Sequence, residues 1–168
     1  FTSGNYGISA ATPLAIALGS TTINLGANAT TIGSNVTINR DTWIIDGATT
    51  ATSTLNLTGG TLSAVAGNTT IRETTVNVGT GSVLRSPGSI ICGLGADGAA
   101  LNVTGGTVTI DGTSTSLILG NSGGAAAVNV TISSGAISFL SGSNTTGIRY
   151  GAFTTGVFNL DGGVVTVN

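Results

Sequence analysis

The sequence predicts an all-β chain that folds as a parallel β-solenoid, a stack of short coils in which each strand pairs with its equivalent in the next coil. Nearly identical segments recur, LNLTGGTLSA at 55–64, LNVTGGTVTI at 101–110 and FNLDGGVVTV at 158–167. Thr, Val, Ile, Gly, Ser and Asn, which are poor helix formers, make up much of the chain. Only 6% of the residues are charged, against roughly 25% in ordinary globular domains. Repetition, strand-forming residues and low charge together indicate stacked coils.

Each recurring segment alternates apolar and polar residues, as a half-buried strand does. In LNVT, Leu101 and Val103 point to one side, and Asn102 and Thr104 point to the other. A Gly pair then forms a corner, and a second short strand follows. The same anchor, an apolar residue followed by Asn and a second apolar residue, begins at Ile23, Leu55, Val76, Leu101, Val128 and Phe158.

The spacing of the anchors matches one coil of a β-solenoid. From Leu55 onward the anchors are 21, 25, 27 and 30 residues apart, within the usual range of one repeat. The segment 90–103 also aligns with 117–130. We therefore expect a right-handed parallel β-helix of about 5–7 coils. The alternative is a pilin-like β-sandwich subunit with donor-strand exchange, which would not stack the anchors.

The first residues of the chain fit the repeat poorly. Residues 1–22 contain Pro13 and the apolar run LAIAL, and they match no coil. An open solenoid end exposes unpaired strand groups, which a cap usually covers. We predict that residues 1–22 form an N-terminal cap or an exchanged arm and that residues 23–168 form the β-solenoid repeats. At the other end, GGVVTVN stops within a strand, which indicates continuation or pairing with another chain.

Composition excludes several classes of function. The net charge of −2 provides no basic footprint for nucleic acid or an anionic membrane, and the run LAIAL is too short to span a bilayer. Without His or Lys, the chain cannot build a Ser-His or Ser-Lys nucleophile or a phosphate loop. One Cys and no His leave no ligand set for zinc, so we expect no metal and no cofactor. We interpret Cys92 as a small buried hydrophobe.

Paired carboxylates would be the requirement for a polysaccharide-degrading β-helix. Asp41, Asp46, Asp97 and Asp111 are the candidates, and this alternative requires them to cluster on one face. Asp46, Asp111 and Asp161 each precede a Gly, a pair typical of turns in which Asp bonds the local backbone and Gly has a positive φ. We predict such turns, and we expect that the chain is not an enzyme.

The sequence contains candidate sites both for covalent glycosylation and for the binding of glycans. Seven Asn-x-Ser/Thr sequons provide candidate glycosylation sites at Asn28, Asn35, Asn56, Asn68, Asn102, Asn129 and Asn144. For glycan binding, Trp43, Tyr150 and Phe153 are the candidate stacking aromatics. The pair Thr107 and Thr109 also resembles the Thr rows of ice-binding solenoids, although the aligned positions in other coils are not regular.

The segment LILGNSGGAAAVNVTISSGAISF at 117–139, together with LNLTGGTLSA and LNVTGGTVTI, resembles the β-strand repeats of large bacterial surface proteins, the autotransporter-associated repeat type. The resemblance covers roughly residues 50–168, and the N-terminal third departs from it. It implies an extracellular, right-handed parallel β-helix with adhesive or scaffolding duties.

Taken together, these features predict a non-enzymatic, extracellular structural protein. We expect a rigid β-solenoid rod that self-assembles into a surface filament or layer, because strand edges without charged residues invite pairing. The partner would be another copy, bound end to end or by strand addition. Candidate assembly contacts are Leu14, Ile16, Leu18, Val164, Val165 and Val167. The alternatives are an adhesin segment that binds surface glycans and the polysaccharide-degrading enzyme.

Overall fold

The computed structural model describes residues 6–8, 14–16, 22–38, 43–94, 97–121, 127–141, 146–151 and 155–168. Within these residues the chain forms 18 strands and no helix. The first nine strands are β1 (Tyr6–Ile8), β2 (Leu14–Ile16), β3 (Thr22–Asn24), β4 (Ala29–Ile32), β5 (Val36–Ile38), β6 (Trp43–Asp46), β7 (Thr54–Leu57), β8 (Gly60–Ala64) and β9 (Thr69–Arg72). The others are β10 (Thr75–Gly79), β11 (Ser82–Ser86), β12 (Ile90–Leu94), β13 (Ala99–Ile110), β14 (Ser116–Asn121), β15 (Ala127–Phe139), β16 (Gly147–Tyr150), β17 (Thr155–Leu160) and β18 (Val164–Val167).

The strands lie in three stacks. Each coil of the chain contributes one strand to the first, second and third stack in order, and the next coil adds the next layer to each. The first stack contains β1, β4, β7, β10, the first half of β13, the first half of β15, and β17. The second contains β2, β5, β8, β11, the second halves of β13 and β15, and β18. The third contains β3, β6, β9, β12, β14 and β16.

Every ladder between these described strands is parallel, so the molecule is a β-solenoid. The predicted fold class is confirmed, and stacks six or seven strands deep agree with the predicted coil number. A pilin-like sandwich would be built on antiparallel ladders, so that alternative is wrong. The right-handed sense of the coil stays a prediction.

The inward positions of the three stacks form continuous apolar columns. In the first stack, Leu55, Val76, Leu101 and Val130 succeed one another in register and are each at most 1% exposed. The inward side predicted from the alternation of apolar and polar residues is therefore confirmed, because a side-chain period of two places every second residue inside. Burial of these columns in all three stacks is the main source of stability.

Two predicted anchors occupy different register positions from those expected. Leu101 pairs with Val130 rather than with Val128, so VNVT is displaced by two residues relative to LNVT. A displacement of two keeps each residue on its own face, because the side-chain period is two. Ile23 lies in β3 of the third stack and pairs with Ile45, so it does not continue the anchor column of the first stack.

The segment 1–22 contributes strands to the stack. In β1, Tyr6 and Ile8 are in register with Thr30 and Ile32, and β2 pairs with β5 in the same parallel sense. These strands therefore add a layer to their own chain. The division into a cap or exchanged arm at 1–22 and repeats at 23–168 stays a prediction.

Glycines at the corner between the first and second stacks allow successive layers to lie directly on each other. A Cβ built on Gly106 would lie 2.4 Å from the carbonyl oxygen of Gly79, and one on Gly135 would lie 2.2 Å from that of Gly106. The same relation continues from Gly135 to Gly163, at 2.9 Å. The sequence predicts a break between two short strands here, whereas β13 and β15 continue through the corner with a shift in register.

Candidate functional site

The C-terminal end of the solenoid carries three strand edges. Within the described residues, β16 pairs only with β14, and β17 and β18 pair only with β15. A strand paired on one side presents unpaired N–H and C=O groups on the other side, and these form a template for a further strand.

The apolar columns are also open at this end. Leu160 follows Ile132 in register, and Val167 follows Phe139. Ile132 and Phe139 are 0% exposed, whereas Leu160 is 52% and Val167 is 53% exposed. The inward register positions of this last layer are Ile148, Tyr150, Phe158, Leu160, Val165 and Val167. We call this set the C-terminal end face.

The predicted assembly residues lie at both ends of the stack. Three of them are in β18, at the C-terminal end, namely Val164, Val165 and Val167. Leu14 and Ile16 lie in β2 at the opposite end, and Leu18 lies outside the described residues. Leu160 and Tyr150, which are 52% and 59% exposed in the same last layer, were not among the predicted assembly residues, although Tyr150 was a predicted stacking aromatic. Leu160 was detectable as the second apolar residue of the FNL anchor.

An asparagine ladder runs along the outward side of the first stack. Asn77 Nδ2 donates to Asn56 Oδ1 at 2.8 Å, and Asn102 Nδ2 donates to Asn77 Oδ1 at 2.9 Å. The three residues are in register in β7, β10 and β13, and their side chains are half-buried. The recurring Asn of the anchor is therefore a structural element that ties three successive layers together.

Replacement of Asn77 by Ala should remove both hydrogen bonds of the ladder and lower the free energy of unfolding by about 2 kcal/mol. Urea denaturation followed by far-UV circular dichroism measures the loss. Asn129→Ala is the matched control, because Asn129 is exposed and its register lies outside the ladder. Equal, small effects of both substitutions would contradict a stabilising role for the ladder.

Two of the candidate glycosylation sites use the nitrogen to which a glycan would attach. Asn102 Nδ2 donates to Asn77, and Asn28 Nδ2 donates to the carbonyl oxygen of Leu25 at 3.0 Å. An N-linked glycan replaces one hydrogen on this nitrogen, so it would have to be accommodated beside these contacts.

The other sequons have different surroundings. Asn35 Oδ1 accepts the backbone N–H of Thr61 in the next coil, and Asn68 Oδ1 accepts that of Ser89, at 2.8 Å in both cases. Asn56 belongs to the ladder, Asn129 is exposed, and Asn144 lies outside the described residues. Glycosylation at any of the seven sites stays a prediction.

Two candidate carboxylates meet at one arginine. Arg72 donates to Asp46 through Nε at 2.9 Å and through Nη2 at 2.6 Å, and its Nε lies 3.8 Å from Asp97 Oδ2. The hydrogen bonds that Arg72 donates to Asp46 raise the pKa of Arg72 above its ordinary value, so the guanidinium remains charged. Both oxygens of Asp46 are engaged, and its side chain is only 10% exposed. This arrangement is typical of a structural ion pair.

The third described carboxylate of the enzyme hypothesis lies elsewhere. Asp111 Oδ2 accepts from Arg85 Nε at 2.7 Å, and Asp41 lies outside the described residues. Asp46 and Asp97 therefore approach each other through Arg72, while Asp111 belongs to a separate pair. The three described carboxylates are therefore divided between two arginines and do not form the single cluster that the enzyme hypothesis requires.

The Asp-Gly pairs lie at corners, but the predicted details are wrong. The carboxylates of Asp46 and Asp111 contact arginines from a neighbouring turn. None of the following glycines, at 47, 112 and 162, has a positive φ. Glycine is needed at Gly47 for space, since a Cβ there would lie 2.4 Å from the carbonyl oxygen of Glu73.

The predicted stacking aromatics separate into buried and exposed residues. Trp43 is 0% exposed, and its Nε1 donates to Thr69 Oγ1 at 2.9 Å, so it cannot stack on a glycan at the surface. Tyr150 is 59% exposed on the C-terminal end face, and Phe153 lies outside the described residues.

The Thr pair of the second stack lacks a regular continuation. Thr107 and Thr109 follow Val83 and Arg85 in register, so a charged side chain interrupts the row. An ice-binding face would need the same small hydroxyl side chain in each layer, and the second stack does not have this regularity.

Cys92 is completely buried in the third stack, where it follows Ile71 and precedes Leu119. Burial raises the pKa of its thiol to about 12. The thiol is therefore protonated at neutral pH and unreactive, since the thiolate is the nucleophile. The interpretation of Cys92 as a small buried hydrophobe is confirmed.

In the described part of the chain, no group of three or more His, Cys, Asp or Glu residues could hold a metal ion. The described strands are accompanied by no helix long and apolar enough to cross a membrane. No protein-family model matches the chain, and neither a curated protein nor a solved structure matches it. The geometry of the chain itself therefore identifies it as a parallel β-solenoid repeat protein.

Proposed function

We propose that this chain is a non-enzymatic, extracellular structural protein, a rigid β-solenoid rod that self-assembles into a surface filament or layer. The observation that carries the proposal is the continuous stack of parallel ladders, whose inward apolar positions succeed one another from layer to layer and are sealed from solvent. Leu160, Val167 and Tyr150 are 52%, 53% and 59% exposed. Apolar side chains beside unpaired strand edges favour association with a further layer.

The charge distribution supports the same function. Of the three edge strands, β17 and β18 contain no charged residue and β16 contains one, Arg149, although charges on edge strands are a common means of preventing edge-to-edge pairing. The low overall charge, 6% of the residues, also reduces repulsion between copies that lie side by side.

The extracellular location rests on the resemblance of residues 117–139 and the LNLTGG and LNVTGG segments to the autotransporter-associated repeats of bacterial surface proteins. A rod held by parallel ladders and buried columns is suited to a scaffolding role. It needs no cofactor or metal for this role.

Binding of glycans is a second candidate function, favoured by the 59% exposure of Tyr150. An exposed aromatic ring can stack on a sugar. Loss of carbohydrate binding by Tyr150→Ala, with assembly unchanged, would support an adhesin.

Self-assembly is tested by sedimentation and electron microscopy of the untagged chain over a range of concentrations. We expect filaments with an axial spacing of about 4.8 Å. Leu160→Lys should abolish them, because it places a charge on the end face. Asn129→Lys should not, because Asn129 is exposed on β15, which has partner strands on both sides. Dispersed rods of the unmodified chain at every concentration would overturn the proposal.

A further inference from the structure

We infer that Asn129, on the side face of the solenoid, is the residue at which this chain carries an N-linked glycan. The inference rests on the proposed function only for the extracellular location, and it is independent of self-assembly. Asn129 is followed by Val130 and Thr131, so it meets the Asn-x-Thr requirement for such a glycan. Seven sequons meet the Asn-x-Ser/Thr requirement, and the structure separates them by the surroundings of the amide.

The amide of Asn129 is exposed and free. Its neighbours in β15, Val128 and Val130, are inward residues at 0% exposure, so the alternation of the strand directs Asn129 outward, where it is exposed. Among the described residues, none forms a hydrogen bond with its side chain. A sugar on Nδ2 of Asn129 therefore displaces no contact of the folded chain.

The register explains why this amide has no partner. In the outward row of the first stack that contains Asn129, Ala100 lies in the layer before it and Val157 in the layer after it. Aliphatic side chains neither donate nor accept hydrogen bonds, so the asparagine ladder of the adjacent row has no counterpart here. Ala100 carries only a methyl group and Val157 is 47% exposed, which leaves room for a first sugar ring.

Two other sequons use the attachment atom itself. Asn102 Nδ2 lies 2.9 Å from Asn77 Oδ1, and Asn28 Nδ2 lies 3.0 Å from the carbonyl oxygen of Leu25. Both asparagines are half-buried. A sugar on either nitrogen would have to lie against the group that accepts its hydrogen bond, and loss of that bond destabilises the fold.

Three further sequons have an amide whose orientation is fixed. The Oδ1 atoms of Asn35, Asn56 and Asn68 each accept a hydrogen bond from the next coil, at 2.8 Å in all three cases. These contacts determine the direction in which a sugar on Nδ2 would extend. The amide of Asn129 can rotate, so its glycan can extend away from the sheet. Asn144 lies outside the described residues.

The modification is a glycosyl transfer from an activated sugar, in which a nucleotide or lipid diphosphate is attached to C1. A bond forms between Asn129 Nδ2 and C1, and the bond between C1 and the phosphate oxygen breaks. The diphosphate leaves with the electron pair of that bond, and one proton of Nδ2 passes to a base of the transferase. The transferase acts during secretion, and folding then retains the glycan where the coils accommodate it.

Secretion of the chain from yeast tests the site. The secreted protein is trimmed with endoglycosidase H, which leaves one N-acetylglucosamine on each occupied asparagine, and its peptides are mapped by mass spectrometry. Thr131→Ala removes the sequon of Asn129 but retains the asparagine. Thr104→Ala is the matched control, because it removes the sequon of Asn102 from the same outward side of the first stack.

We expect the glycan on Asn129, at higher occupancy than on Asn28 or Asn102. Thr131→Ala should remove the mass of one glycan, and Thr104→Ala should not. Because no contact is displaced, the urea midpoint of the secreted chain should be the same before and after trimming. Absence of a glycan from Asn129, higher occupancy of Asn28 or Asn102, or a lower midpoint in the untrimmed chain would overturn this inference. None of these results bears on self-assembly, so the proposed function is tested separately.

Discussion

Replacement of Trp43 by Ala is expected to lower the free energy of unfolding by about 3–5 kcal/mol, the usual cost of deleting a large buried aromatic side chain. Trp43 is among the largest fully buried residues, at 0% exposure in the inward column of β6. Its Nε1–H donates to Thr69 Oγ1, and Thr69 Oγ1 in turn donates to Ser86 Oγ at 3.0 Å. The substitution would therefore create a cavity and also remove one end of a buried hydrogen-bond chain.

Urea denaturation followed by far-UV circular dichroism measures this loss, because the chain has only one Trp and the variant lacks its fluorescence. Tyr150→Ala is the control, since it truncates an aromatic residue that is 59% exposed and should change stability by less than about 1 kcal/mol. Similar losses for both variants would contradict the location of Trp43 in the core.

Gly106→Ala should destabilise the chain by about 3 kcal/mol, because the added methyl group has no room. A Cβ at Gly106 would lie 2.4 Å from the carbonyl oxygen of Gly79 and 2.8 Å from that of Ser82. Both contacts are with backbone atoms, which cannot move aside unless two layers of the stack separate. Thermal unfolding of the variant is the measurement.

Gly81→Ala separates this steric effect from the conformational preference of glycine. Gly81 has a φ of 75°, but a Cβ there would have nothing within 4 Å. Its cost should be limited to about 1 kcal/mol, from the left-handed backbone conformation. A smaller loss in Gly106→Ala than in Gly81→Ala would contradict the close stacking of the corners.

The core was predictable because its signal is local. Residues such as Leu101 and Val103 alternate with Asn102 and Thr104, and in a strand this alternation is sufficient to assign the inward side. The recurrence of the same ten residues then indicates that equivalent strands lie on top of each other. No knowledge of distant contacts is needed for either step.

The register between layers was less predictable, because loop lengths contribute to it. The segment that begins at Ile90 aligns with Leu117 in both sequence and structure. In the next strand of the coil this alignment fails, since Leu101 pairs with Val130 and not with Val128. Sequence similarity cannot detect a shift of two, because the same face of the strand remains inside.

The polar contacts were not predictable from nearby residues. Arg72 binds Asp46, which is 26 residues away, and Asn77 binds Asn56, which is 21 residues away. Closure of a coil brings these side chains together, so local turn chemistry predicted the wrong partners for the Asp-Gly pairs. The same closure encloses Trp43, whose neighbours in the sequence, Ile44 and Ile45, do not reveal that it is inaccessible.

The sequence by itself determined the strand content, the inward face of most strands and the parallel stacking, because alternation between neighbouring residues and repetition along the chain are both visible without any tertiary contact. Only the tertiary structure decided the pairing of Leu101 with Val130, the ion pairs of Arg72 and Arg85, and the exposure of Leu160 and Val167. These features depend on which residues lie one coil apart, and that distance is determined by loops of variable length and by whether a further layer is present.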